Sequence, residues 1–169
     1  MYKLTKNSLL LFFFSFFLII STSTSVAQKS DIVGITTAEE VRAQHRIFDI
    51  YTKRYTPKVE SVQYLKEIQD SVKIHVLFGT WCHDSKKQIP AFMKTMEEVK
   101  NPFIEVEYIA VTKKKTDPNM LSERWNLKYT PTFIIFRKGQ EFGRIIEEPI
   151  QHLEEDLVSI LKSEAISEH

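Results

Sequence analysis

The chain has 169 residues, 43% of them apolar and 27% charged, with a formal net charge of +1 and a pI of about 7.8. These values suit one globular domain, exclude a disordered or low-complexity chain, and give no electrostatic footprint for nucleic acid or an acidic surface. The single cysteine excludes an internal disulfide and an all-cysteine metal site within one chain, and the five histidines include no close pair suited to zinc.

Lys3 and Lys6 precede an almost wholly apolar run from Leu9 to Ile20, followed by Ser21 to Ala27 with a small-x-small ending at Ser25 and Ala27. That order predicts a secretory signal peptide over 1–27, cut before Gln28. The apolar run is shorter than the ~20 residues of a spanning helix, so a membrane association is expected only if the segment stays uncleaved. The mature chain would be exported, periplasmic or extracellular, and loss of Lys3 and Lys6 takes its formal charge from +1 to −1. A lone cysteine in an oxidising compartment is a free thiol that needs an explanation.

Residues 28–35 read as a short lead-in. Thr36 to Glu39 and Thr37 to Glu40 both have capping-box spacing and open a helix to about Tyr55, stopped by Pro57. Val59, Val62, Leu65 and Ile68 mark a second helix. From Val72 the pattern becomes β-branched, and Val76-Leu77-Phe78 is apolar on both faces, as in a strand inside a sheet. Ile89, Phe92, Met93, Met96 and Val99 then form a helical stripe that contains Pro90, and Asn101-Pro102 ends it.

A strand over 103–111 alternates Ile104, Val106, Tyr108 and Ala110 with Glu105 and Glu107. Lys113-Lys114-Lys115 reads as a solvated turn. Asp117-Pro118 supplies an N-cap and first-turn proline for a short helix through Trp125, with Asn126 as its C-cap. Thr132 to Arg137 is a strand, Lys138-Gly139-Gln140 a hairpin turn, and 141–147 its partner strand. A last helix carries Leu153, Leu157, Ile160 and Leu161. Helical crossovers imply parallel pairing and the short turn an antiparallel hairpin, so a mixed sheet in an α/β fold is expected.

Cys82 falls at the junction of the central strand and the following helix. Free backbone N–H groups and the helix dipole favour an anion there, which suits a thiolate nucleophile. Three residues on, where a second cysteine would complete C-x-x-C, stands Ser85.

Trp81-Cys82-x-x-Ser85 on such a turn resembles the W-C-x-x-C site of the thioredoxin family with its second cysteine replaced. Pro90 is similar to the proline of the family's active-site helix. Tyr129-Thr130-Pro131-Thr132-Phe133 resembles the segment that carries the family's cis-proline, and Phe136 to Gln140 the strand and Lys-Gly turn after it. The resemblance covers Val72 to the C-terminus and implies a three-layer α/β/α sandwich. In domain terms it implies a thioredoxin-like domain over 71–165, with 28–70 as a lead-in and N-terminal helical extension.

It further implies that Cys82 is the nucleophile, that Ser85 donates a hydrogen bond to it, and that Trp81, His83, Asp84, Thr130 and Pro131 contact the substrate. The family's buried aspartate, six residues before the nucleophile, is replaced by Val76, consistent with the lack of a second thiol to deprotonate. Gly79 stands where a peroxidatic T-x-x-C threonine would be. No metal or cofactor is expected. The implied activity is thiol-disulfide exchange through mixed disulfides: isomerisation, deglutathionylation or capture of partners. The partner would be a thiol- or disulfide-containing protein or a small thiol, and a Cys82-linked dimer is a further possibility. The alternative is a binding module that uses the same groove without redox turnover.

Overall fold

The apolar run that ends at Phe78 lies where its composition places it, in the middle of a sheet. The computed structural model of the protein describes residues 30–163. Five strands, β1 (Gly34–Thr36), β2 (Val72–Phe78), β3 (Ile104–Ala110), β4 (Thr132–Arg137) and β5 (Gln140–Ile146), pair in the spatial order β1-β3-β2-β4-β5. β2 runs parallel to β3 and antiparallel to β4, and β1 and β5 are antiparallel edges. The mixed α/β sheet expected from the sequence is present. The β4–β5 turn has positive φ at both Lys138 (53°) and Gly139 (82°), the left-handed pair that matches strand twist in a tight hairpin.

The described residues form six helices: α1 (Ala38–Gln44), α2 (Arg46–Arg54), α3 (Val59–Glu67), α4 (His83–Val99), α5 (Leu121–Arg124) and α6 (Leu153–Lys162). Five of them cover one face of the sheet. Val41, Phe48, Leu65, Phe92 and Leu157, one from each, join Val72, Ile74, Val76, Phe78 and Phe133 in the main core. Among the described residues the other face is covered by α5 and the chain after it: Leu121, Trp125 and Leu127 pack on Leu77, Ile109, Val111 and Ile134. On that face His75 is nearly buried, with Nδ1 2.7 Å from Glu107 Oε2 and its ring 4.8 Å from that of Trp125.

Three local expectations are corrected. The lead-in over 28–35 ends in a strand, because Gly34, Ile35 and Thr36 pair with Ala110, Ile109 and Tyr108 at the open edge of β3. The single helix to Tyr55 is two helices, broken at His45 (φ −124°, ψ 89°), so that Val41 and Phe48 can both reach the core. The helix after Asp117 is one turn only. Met120 adopts φ 55°, and Asp117 instead spans the loop, accepting the N–H groups of Asn119, Leu121 and Ser122. The signal-peptide reading over 1–27 lies outside the described residues.

Asn101 does more than end α4. Its buried amide donates to the carbonyls of Leu65 and Ile68, each at 2.8 Å, and its Oδ1 accepts the Phe103 N–H at 2.9 Å. One side chain thus closes the C-terminus of α3 and starts the crossover into β3.

Candidate functional site

β2 ends at Phe78 and α4 begins at His83, so the four residues between them make a tight turn at the C-terminal edge of the sheet. Gly79 opens it. A Cβ there would stand 2.4 Å from Cε2 of Trp81, because the indole folds back over the glycine. The indole is held there by Nε1–H donating to the Val111 carbonyl at 3.0 Å. Trp81 thus ties the turn to the end of β3. Thr80, 2% exposed, donates its hydroxyl to Asp31 Oδ1 at 2.9 Å, which fastens the chain before β1 to the same turn.

Cys82 is the N-cap residue of α4, with extended backbone (φ −74°, ψ 135°) and a partly exposed side chain. Its own N–H donates to Gly79 O at 3.0 Å, and its carbonyl accepts the Lys86 N–H that starts the helical ladder. Its thiol donates to the Thr130 carbonyl, with Sγ 3.1 Å from the oxygen. The Thr130–Pro131 peptide is cis, both residues are buried, and the Pro131 carbonyl accepts the Glu147 N–H at 2.8 Å. Cys82 and Thr130-Pro131, 48 residues apart in sequence, therefore meet at one point.

Ser85 is placed differently from its expected role. It is fully buried, and its Oγ accepts the Gly79 N–H at 3.3 Å. No hydrogen bond joins it to the Cys82 sulfur among the described residues. The helix turn that carries Ser85 points it back into the core, where it closes the strand-to-helix turn instead of reaching the thiol. His83 is exposed and Asp84 half-exposed in the first turn of α4. Val76, fully buried, pairs in register with Tyr108 on β3 and Phe133 on β4.

Lys86 was not singled out by the sequence. Its Nζ donates to the Trp81 carbonyl at 3.3 Å, which sets a cation beside the Trp81-Cys82 peptide. A lysine four residues after the helix-capping cysteine was the available signal, since i and i+4 share a face. Val111 and Asp31 carried no such signal, as both act through contacts between distant segments. Among the described residues no cluster of three or more His, Cys, Asp or Glu side chains is placed to hold a metal ion.

A partly exposed thiol at a helix start, against a backbone carbonyl and beside a buried proline, can attack a sulfur that approaches from solvent. With no second thiol in the chain, it cannot close an internal disulfide.

A family model described as Thioredoxin matches residues 34–162, from the first residue of β1 to the last of α6. No curated protein matches the sequence significantly. Among solved structures, a protein of unknown function from Pseudomonas aeruginosa is 20% identical, with a TM-score of 0.47 and 75% of each chain covered. Thioredoxin f2 of Chlamydomonas reinhardtii is 18% identical, with a TM-score of 0.42, over 59% of this chain and 83% of its own. A thioredoxin from Trypanosoma brucei brucei is 20% identical, with a TM-score of 0.39, over 64% and 89%. The assignment rests on the family model, which spans most of the sequence and nearly all of the described fold: the chain belongs to the thioredoxin family.

Proposed function

We propose that the protein performs thiol-disulfide exchange through Cys82 alone, by forming mixed disulfides that another thiol must release. The observation that carries this reading is the partly exposed thiol of Cys82 at the N-cap of α4, in a chain with no second cysteine. In the first step the Cys82 thiolate attacks one sulfur of a partner disulfide. That S–S bond breaks, a Cys82–partner disulfide forms, and the other partner sulfur leaves as a thiolate that takes a proton from water. In the second step an external thiolate attacks the mixed disulfide and Cys82 leaves. The external thiol can belong to the partner itself, to a small thiol or to another protein. Isomerisation, deglutathionylation and covalent capture all fit this cycle, and it runs in an exported setting, where disulfides persist.

A second reading is a binding module on the same scaffold. It is favoured by one contact: the Thr130 carbonyl accepts from the thiol, an interaction that exists only while the sulfur is protonated. In that reading Trp81 and the Thr130-Pro131 segment bind partners, and Cys82 is a packing residue.

Trapping separates the two. Extracts resolved without reductant should show disulfide-linked partners that vanish with Cys82→Ala. An unchanged set of linked partners would end the exchange reading, and retained partner binding by Cys82→Ala would establish the module.

A further inference from the structure

The near-neutral chain hides a local imbalance of charge beside the thiol. The loop after β3 begins at Val111, whose carbonyl holds the Trp81 indole. Thr112 and Thr116 close this loop: the Thr112 N–H donates to Thr116 O at 3.0 Å, the Lys115 N–H to Thr112 O at 2.8 Å, and the two hydroxyls lie 2.8 Å apart. Lys115 takes a left-handed backbone (φ 61°), a conformation that costs a lysine energy and is retained only where surrounding bonds fix it. The segment is the solvated turn expected, closed by the bonds between Thr112 and Thr116.

It presents Lys113 and Lys114 to solvent and sets Lys115 Nζ 5.7 Å from the centre of the Tyr129 ring, next to Thr130. Lys86, on the Trp81 carbonyl, and exposed Lys128, beside Tyr129, complete the group. Among the described residues none of these five ammonium groups forms a salt bridge.

Sheet order gives this charge a direction. β3 lies on one side of β2, and β4 and β5 on the other. The lysine loop therefore flanks Cys82 from the β3 side. The acidic residues Glu147 and Glu148 follow β5; the Glu147 N–H bonds the Pro131 carbonyl, and Glu148 is already engaged by Lys87 at 3.4 Å. Asp84, in the first turn of α4, and exposed Asp31, which accepts the Thr80 hydroxyl, are the further carboxylates beside the turn, fewer than the five lysines.

We propose that the lysine loop and Lys86 make the Cys82 site selective for disulfides flanked by carboxylates. The inference rests on the exchange reading and names its substrate class. A cluster of like charges on the surface around a reacting centre raises the local concentration of counter-charged reactants, most strongly at low salt.

Three small disulfides of matched size test it: one dicarboxylate, one neutral and one diamine, each followed by the rate of Cys82 mixed-disulfide formation. We expect the dicarboxylate to react ~10-fold faster than the diamine at about 0.01 M salt, and the ratio to fall toward ~2 at about 1 M. Lys113→Glu/Lys114→Glu, both exposed, should cut the low-salt ratio several-fold while the neutral disulfide keeps its rate. The same series with disulfide-linked peptides rich in Glu or in Lys identifies the source. A larger preference among peptides points to an acidic polypeptide, and an equal one to an anionic small thiol.

Equal rates for all three disulfides would overturn the charge inference and leave exchange standing. Failure of every disulfide to react would end the exchange reading. Alkylation keeps the two failures apart: iodoacetate should gain on iodoacetamide at low salt in the wild-type protein and lose that gain in the double variant. No such gain would overturn the charge inference whatever the disulfides do.

Discussion

Ser85 Oγ accepts the Gly79 N–H at 3.3 Å, and this bond, not one to sulfur, is what the residue three positions after the cysteine provides. Both groups are buried, so its loss leaves a buried donor without a partner. Ser85→Ala should cost about 1–3 kcal/mol in denaturant unfolding. The rate of Cys82 alkylation should change less than ~3-fold at neutral pH. A tenfold drop in alkylation with unchanged stability would instead place Ser85 on the sulfur.

Gly79 is required by the indole above it. Gly79→Ala puts a Cβ within 2.4 Å of Trp81, so the ring must move and its hydrogen bond to Val111 must break. Overpacking of this kind costs about 1–3 kcal/mol. Trp81 emission should shift to the red, and Trp81→Phe should remove most of the difference between the Ala and Gly proteins. Unchanged stability and emission would mean that the ring is not held over the glycine.

Glu154 is fully buried yet makes only neutral contacts: it accepts the Tyr55 hydroxyl and the Lys58 N–H, each at 2.8 Å. These bonds pin the α2–α3 connection to the start of α6. Glu154→Ala strands both donors, so we expect a loss of about 2–4 kcal/mol. Glu154→Gln keeps an acceptor and should lose less. Equal losses for the two variants would contradict this account.

Stability should fall at both ends of the pH scale. Burial, and then the Glu154 carboxylate, hold the Tyr55 hydroxyl well above the usual phenol range, and burial does the same for Tyr108. The folded state keeps protons that the unfolded chain releases at about pH 10, so stability is full below that pH and falls above it. His75 works in the opposite direction. Burial pushes its pKa down despite Glu107, so the unfolded chain takes up a proton that the folded state resists. Its contribution is present above about pH 6.5 and is lost as pH falls below it. Urea midpoints from pH 5 to 11 should trace both limbs, and His75→Phe should flatten the fall between pH 7 and 5. A variant that keeps that limb would assign it elsewhere.

The central strand, the helix after the cysteine and the hairpin at Gly139 were legible because periodicity and turn chemistry are local. Cys82 was legible for the same reason, since a strand pattern gives way to a helix pattern at that residue. The short strand Gly34–Thr36 was not, because three residues carry no alternation and become a strand only through the free edge of β3. Nor was the break at His45, which the apolar stripe runs through unmarked. The misplacement of Ser85 has a geometric cause. Spacing puts residues 82 and 85 on adjacent turns, but only the packed helix decides which of two nearby groups, a sulfur or a backbone N–H, the hydroxyl meets. The lysine segment was legible as a solvated turn, but its threonine clasp and left-handed Lys115 were not, since they appear only in three dimensions.

The central claim is that Cys82 forms mixed disulfides which this chain cannot release. Intact-mass measurement after exposure to a small disulfide tests it most directly, with Ser85→Cys run beside the wild-type protein. The wild-type protein should carry one adduct on Cys82 that persists until an external thiol is added, and Ser85→Cys should expel its adduct without one as an internal disulfide forms. An unmodified wild-type protein, or a wild-type adduct that leaves without any added thiol, would contradict it.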